Sequence, residues 1–216
     1  MKKTVVLLLT CFMVVGMSMA LDYGVRGGLS LGNMALDPEF DEWGPPDAED
    51  KIKMGFYGGV FVQYPLSETM GIMGELNFIQ KGDNYYFEES GDDINYIFYG
   101  KVLEMPVLFY FLPMEKMTLY AGPVLGYVLK GGYQYKINYD DPDVSQYQGL
   151  DMNEYINRFE LSVAAGGRYQ FAGKYFGEVR YIYGFSNIFK DDTDGMLPDE
   201  MEGKTSTLTI GFGVNL

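Results

Sequence analysis

The chain has 216 residues, no histidine and a single cysteine, and its 30 acidic against 16 basic side chains give a formal charge of −14. Lack of histidine removes the commonest neutral-pH general base and transition-metal ligand, which excludes Ser/His/Asp chemistry. The acidic balance excludes a nucleic-acid partner, which needs a basic surface, and no Pro/Ser/Gly-rich linker divides the chain.

Residues 1–20 read as a secretory signal: Lys2 and Lys3, an apolar run from Val5 to about Met17, then the small residues Ser18 and Ala20 around Met19. The run is shorter than the roughly 20 apolar residues of a spanning helix, so cleavage after Ala20 is expected. Cys11 lies inside this signal behind Leu9-Thr10, which argues against a lipid-modified cysteine, and the remainder has no thiol. Losing the two lysines would take the formal charge from −14 to −16.

From residue 21 onward the pattern is period-2 alternation, which predicts strands over 23–34, 54–64, 70–81, 96–111, 119–135, 158–171, 175–185 and 207–216. The last is the clearest. Leu208, Ile210, Phe212, Val214 and Leu216 share one face, while Thr207, Thr209, Gly211, Gly213 and Asn215 share the other. Strands that are apolar on one side and small or polar on the other suit a barrel with a lipid-facing wall, as do the 28 glycines and the 16% aromatic content.

Connections alternate in length. Residues 35–51, 82–95, 136–155 and 186–203 are long, whereas 65–69, 112–118 and 172–174 are short; the long ones hold 23 of the 30 acidic residues. Bacterial outer-membrane barrels have short periplasmic turns and longer external loops. The expected architecture is therefore an all-β, eight-stranded antiparallel transmembrane barrel over 21–216, with both termini periplasmic and the acidic loops outside.

On the expected inner faces lie Arg26, Glu75, Glu104, Lys130, Arg158, Glu160, Arg168, Glu178 and Arg180. Five cations against four anions can pair across a narrow lumen, where isolated charges would be costly. Tyr57, Tyr110 and Tyr120 are candidates to fill remaining space. Pro106 and Pro123 sit within predicted strands, where the missing N–H suggests a bulge or a gap in pairing, and a register shift there would exchange inner and outer faces.

No catalytic constellation and no cofactor are expected. Asp191, Asp192 and Asp194, followed by Gly195, form a weak calcium candidate, lacking a ligand at Lys190 and a closing glutamate. Asp140, Asp141 and Asp143 carry still less pattern.

Tyr23-Gly24-Val25-Arg26-Gly27-Gly28-Leu29-Ser30-Leu31, Leu103-Glu104-Met105-Pro106-Val107-Leu108, Tyr120-Ala121-Gly122-Pro123-Val124-Leu125-Gly126-Tyr127 and, more loosely, Glu178 to Ile188 occur in order along the chain. In these stretches it resembles the PorT-like outer-membrane β-barrel family. The resemblance implies an eight-stranded barrel without catalytic residues. A secretion role belongs to only some members and is not implied by the fold.

The function expected is structural or surface-interacting. Outer-membrane lipid and lipopolysaccharide are the expected surroundings, and divalent cations or a surface protein are candidate partners at the loops; the oligomeric state is left open. A small pore or transport and secretion accessory is the alternative, and a soluble periplasmic lipocalin-like binder is the third reading.

Overall fold

The computed structural model describes residues 21–37, 49–89, 92–138, 145–190 and 202–216. These residues form ten strands: β1 (Asp22–Asp37), β2 (Glu49–Lys51), β3 (Lys53–Pro65), β4 (Met70–Glu89), β5 (Asp92–Met114), β6 (Met117–Asn138), β7 (Ser145–Asp151), β8 (Phe159–Ala172), β9 (Tyr175–Gly184) and β10 (Glu202–Asn215). β2 and β7 are short outward continuations of β3 and β8, pairing with β4 and β6 respectively. The ring therefore has eight antiparallel staves, closed where β1 pairs β10 from Gly24↔Asn215 to Asp37↔Glu202.

Alternation decides which side of the wall each residue meets. Along β8, Phe159, Leu161, Val163, Tyr169 and Phe171 are exposed on the outside while Glu160, Ser162, Ala164 and Arg168 are buried within. β9 repeats this, with Tyr175, Val179, Tyr181 and Tyr183 outside and Phe176, Glu178, Arg180 and Ile182 inside. A wall that is apolar outside and charged inside inverts the usual soluble arrangement and matches a barrel set in hydrocarbon.

The eight expected strands are all present, but several run further than their sequence suggests. Residues 82–95, expected as a long acidic connection, continue the β4–β5 ladder from Gly82↔Tyr99 to Glu89↔Asp92. Tyr85, Ile94 and Phe98 are buried there, and Asp83 turns inward, where its carboxylate accepts a hydrogen bond from the Met34 N–H at 2.7 Å. Acidic composition had masked an alternating pattern. β6 likewise continues to Asn138, and part of 136–155 forms β7.

Both prolines interrupt pairing without changing register. β4–β5 pairs stop at Gly74↔Val107 and resume at Asn77↔Glu104, and β5–β6 pairs stop at Pro106↔Val124 and resume at Phe109↔Ala121. The β5–β6 register shifts fall elsewhere, between Phe111 and Met114 at the short-turn end and between Lys101↔Lys130 and Val102↔Val128, where Leu129 is the extra residue of a bulge.

The short turns and close backbone approaches depend on glycine at two kinds of position. Gly173, in the β8–β9 turn, has φ 52°, a left-handed conformation that glycine adopts without steric cost. Gly28 faces the closing seam, where an added Cβ would lie 2.2 Å from the Ile210 carbonyl oxygen and 2.5 Å from the Gly211 Cα. Neither backbone atom can move without opening the β1–β10 ladder. Gly28→Ala is therefore expected to lose about 1–3 kcal/mol of stability. Gly58→Ala, whose Cβ would meet only the Arg26 carbonyl oxygen at 3.7 Å, is the control expected to unfold like the parent in urea.

Candidate functional site

Inside the ring the side chains are layered. Near the short-turn end, Phe61, Met73, Leu108, Tyr110 and Phe176 form an apolar floor. Above it lies a cluster of three arginines and two glutamates: Arg26 from β1, Glu75 from β4, Arg168 from β8, and Glu178 and Arg180 from β9. Glu75 is its hub. Its carboxylate takes the two Nη groups of Arg180 at 2.7 and 2.8 Å, Arg26 Nη2 at 2.7 Å, Arg168 Nη2 at 3.2 Å and the Asn77 amide at 3.0 Å.

Glu178 accepts from Arg168 Nε at 2.6 Å and from Arg26. Arg168 and Glu178 are opposed across the β8–β9 ladder, so alternation and register alone bring them together. Aromatic faces complete the coordination: the Arg168 guanidinium carbon lies 4.3 Å from the centre of the Phe61 ring and 4.6 Å from that of Phe176, and that of Arg180 lies 4.7 Å from Tyr120. Burial strengthens each of these contacts and makes each unpaired charge expensive.

A second, smaller cluster lies toward the long connections. Lys81 Nζ is 2.7 Å from Glu104 Oε1 and 3.0 Å from Glu160 Oε2. The Ser162 hydroxyl donates to Glu160 at 3.3 Å, and the Thr205 hydroxyl donates to the same carboxylate. The larger cluster carries one excess positive charge and the smaller one excess negative charge. Together they hold four cations and four anions, all buried.

Seven of the nine expected inward residues thus lie in these two clusters. Lys130 does not: the Leu129 bulge turns it to the outer surface, where it is exposed. Nor does Arg158, whose Nη1 donates to the Val128 carbonyl at 3.2 Å and to Asn153 Oδ1 at 2.9 Å at the edge of the wall. Lys81 supplies the missing cation. Its position was readable, since Glu75, Asn77, Ile79 and Lys81 alternate on one face of β4. Tyr57, Tyr110 and Tyr120 are buried within. Asp191, Asp192, Asp194 and the trio Asp140, Asp141 and Asp143 lie outside the described residues, and no group of metal-ligating side chains occurs among those described.

The far end of the lumen is closed by chain that folds inward. Ile156 bridges Phe189, the Asn157 amide donates to the Asn187 and Phe189 carbonyls at 3.0 and 2.7 Å, and Met152, Ile156 and Phe189 are buried. Beneath this cap is a cavity of about 60 Å³ bounded by Met34, Phe98, Val102, Val128 and, from the smaller charge cluster, Lys81 and Glu160. Small-molecule sites usually enclose roughly 300–1,000 Å³, so this space suits a few waters and no metabolite.

Among solved structures, the chain is similar to the attachment invasion locus protein Ail of Yersinia pestis, with 18% identity, 92% of this chain and 100% of that chain covered, and a TM-score of 0.46. It is also similar to Neisserial surface protein A (11%, 92% and 100%, 0.48) and to the outer membrane protease OmpT of Escherichia coli (10%, 91% and 96%, 0.41). No curated protein matches. The family model described as the outer membrane protein beta-barrel domain matches residues 18–190, most of the chain. With eight antiparallel staves in a closed ring, an apolar outer wall and this match, the chain belongs to the outer membrane protein beta-barrel domain family.

Proposed function

We propose that this outer-membrane barrel is a closed, non-catalytic anchor that presents its long acidic connections at the cell surface for structural or surface-interaction purposes. The observation that carries the reading is the filled lumen: eight buried charges bonded to one another across the barrel, an apolar floor below and an inward-folded cap above. Eight staves leave room for side chains and little else. The described residues contain no histidine and no thiol, and the cavity beneath the cap is too small for a substrate, which supports a role other than catalysis.

Residues 1–20 act as the cleaved export signal in this reading, and the short-turn end with both termini faces the periplasm. A place within the PorT-like branch of the family rests on the four sequence stretches named above. Outer-leaflet lipid surrounds the barrel, and partners, whether divalent cations or a surface protein, meet the acidic loops.

Purified protein in planar bilayers is expected to give no stepwise conductance. Reproducible conductance steps that disappear in Arg168→Gln or Glu178→Gln would overturn the closed reading in favour of a pore lined by the larger cluster.

A further inference from the structure

The chain places two lysines directly opposite one another on the outer wall. Lys101 on β5 and Lys130 on β6 are register partners, and both are exposed. Like charges opposed across a ladder destabilise it. The arrangement also depends on an irregularity: with Leu129 held in regular register opposite Lys101, alternation would send Lys130 into the lumen, so the bulge re-aims this cation to the outside. Arg158 lies beside them, bonded through Nη1 to the carbonyl of Val128, next to the bulge.

None of the three forms an ion pair with a carboxylate among the described residues, in a chain with 30 acidic residues. The nearest acid by register, Asp151 opposite Gly132, pairs with neither lysine and instead accepts from the Asn153 N–H. Toward the short-turn end the wall is apolar, with Met105, Leu125, Leu161 and the edge-to-face pair Tyr127 and Phe159 at 5.3 Å. The three cations therefore sit at the upper border of the apolar belt.

We propose that Lys101, Lys130 and Arg158 form a binding site for the phosphate group of an anionic outer-leaflet lipid, whose acyl chains lie along the apolar wall beneath. A phosphate between the lysines turns their repulsion into shared attraction, and the unbonded Nε and Nη2 of Arg158 offer further donors. Placement in the outer leaflet rests on the orientation given under Proposed function. Binding of a lipid in a micelle does not, so the two fail separately: protease access to the loops on intact cells tests orientation alone.

The test uses the full folded barrel in neutral detergent micelles, titrated with bis-phosphorylated lipid A, with the same lipid dephosphorylated, and with inorganic phosphate, and read by native mass spectrometry. Attraction of two lysines to an anionic lipid surface corresponds to about 30-fold in affinity. The parent is expected to favour the phosphorylated lipid by that factor, K101Q/K130Q to lose it, and K101R/K130R to keep it. The gel melting point of the folded band gives an independent sign test: K101Q/K130Q should be at least as heat-stable as the parent in neutral detergent and less stable with phosphorylated lipid A. Equal binding by K101Q/K130Q and parent, or no preference for the phosphorylated lipid, overturns the site. Displacement by inorganic phosphate overturns the lipid assignment in favour of a free-phosphate site. Should K101Q/K130Q not fold, K101Q alone carries the same comparison.

Discussion

Glu75→Leu is expected to lower the unfolding free energy of the barrel by about 3–5 kcal/mol, the scale observed when one partner of a buried ion pair is removed. Glu75 meets Arg26, Arg168 and Arg180 at once, and without it Glu178 alone would face three buried guanidinium groups. Urea titration of the refolded barrel in lipid, followed by the loss of β-structure, measures the effect. The double change E75L/R180M should recover part of the loss, because one charge of each sign is then removed from the cluster. Glu202→Gln, at an exposed pair with Lys204, is the control, expected within about 0–1 kcal/mol of the parent. A Glu75→Leu barrel as stable as the parent would mean that the arginines are compensated by something other than these carboxylates.

Val107→Arg is expected to cost about 2–4 kcal/mol in lipid vesicles, because a cation on the lipid face is most expensive at the bilayer midplane. Val107 is 56% exposed on the outer wall and lies midway along β5 between Lys101, at the upper border of the belt, and Met114, at the short-turn end. A rise of about 3.4 Å per residue and a tilt near 45° make that stretch close to the apolar band of a membrane barrel. In a soluble barrel the same exposed substitution would change stability by no more than about 0.5 kcal/mol. The comparison therefore separates the membrane barrel from a lipocalin-like alternative by magnitude.

The wall was legible in the sequence because its two faces meet such different surroundings. Hydrocarbon outside and a charged lumen inside enforce alternation, which β9 shows without interruption and β8 and β10 show over most of their length. Which charges meet was not legible. Glu75 and Arg180 are 105 positions apart, and only the closed ring brings them together.

Lys130 was misplaced because a bulge of one residue reverses every assignment beyond it, and Leu129 carries no local signal of being that residue. The prolines drew attention to the wrong positions, since each removes a ladder bond without adding a residue. Residues 82–95 were misread for a different reason. Their acids suggested solvent, yet Asp83 is buried and serves as an acceptor for the Met34 backbone.

The distribution of the larger cluster around the ring also bears on assembly. Its members come from the first, third, sixth and seventh staves, and the first stave is flanked by the last. An open sheet entering the bilayer with only its early strands would carry Arg26 and Glu75 into hydrocarbon without Glu178 or Arg180. Insertion of a sheet that lacks β8 and β9 is thus penalised, which couples membrane entry to the formation of these later staves. A chain cut short before β9 is expected to insert poorly into lipid vesicles, because Arg26, Glu75 and Arg168 would lack Glu178 and Arg180.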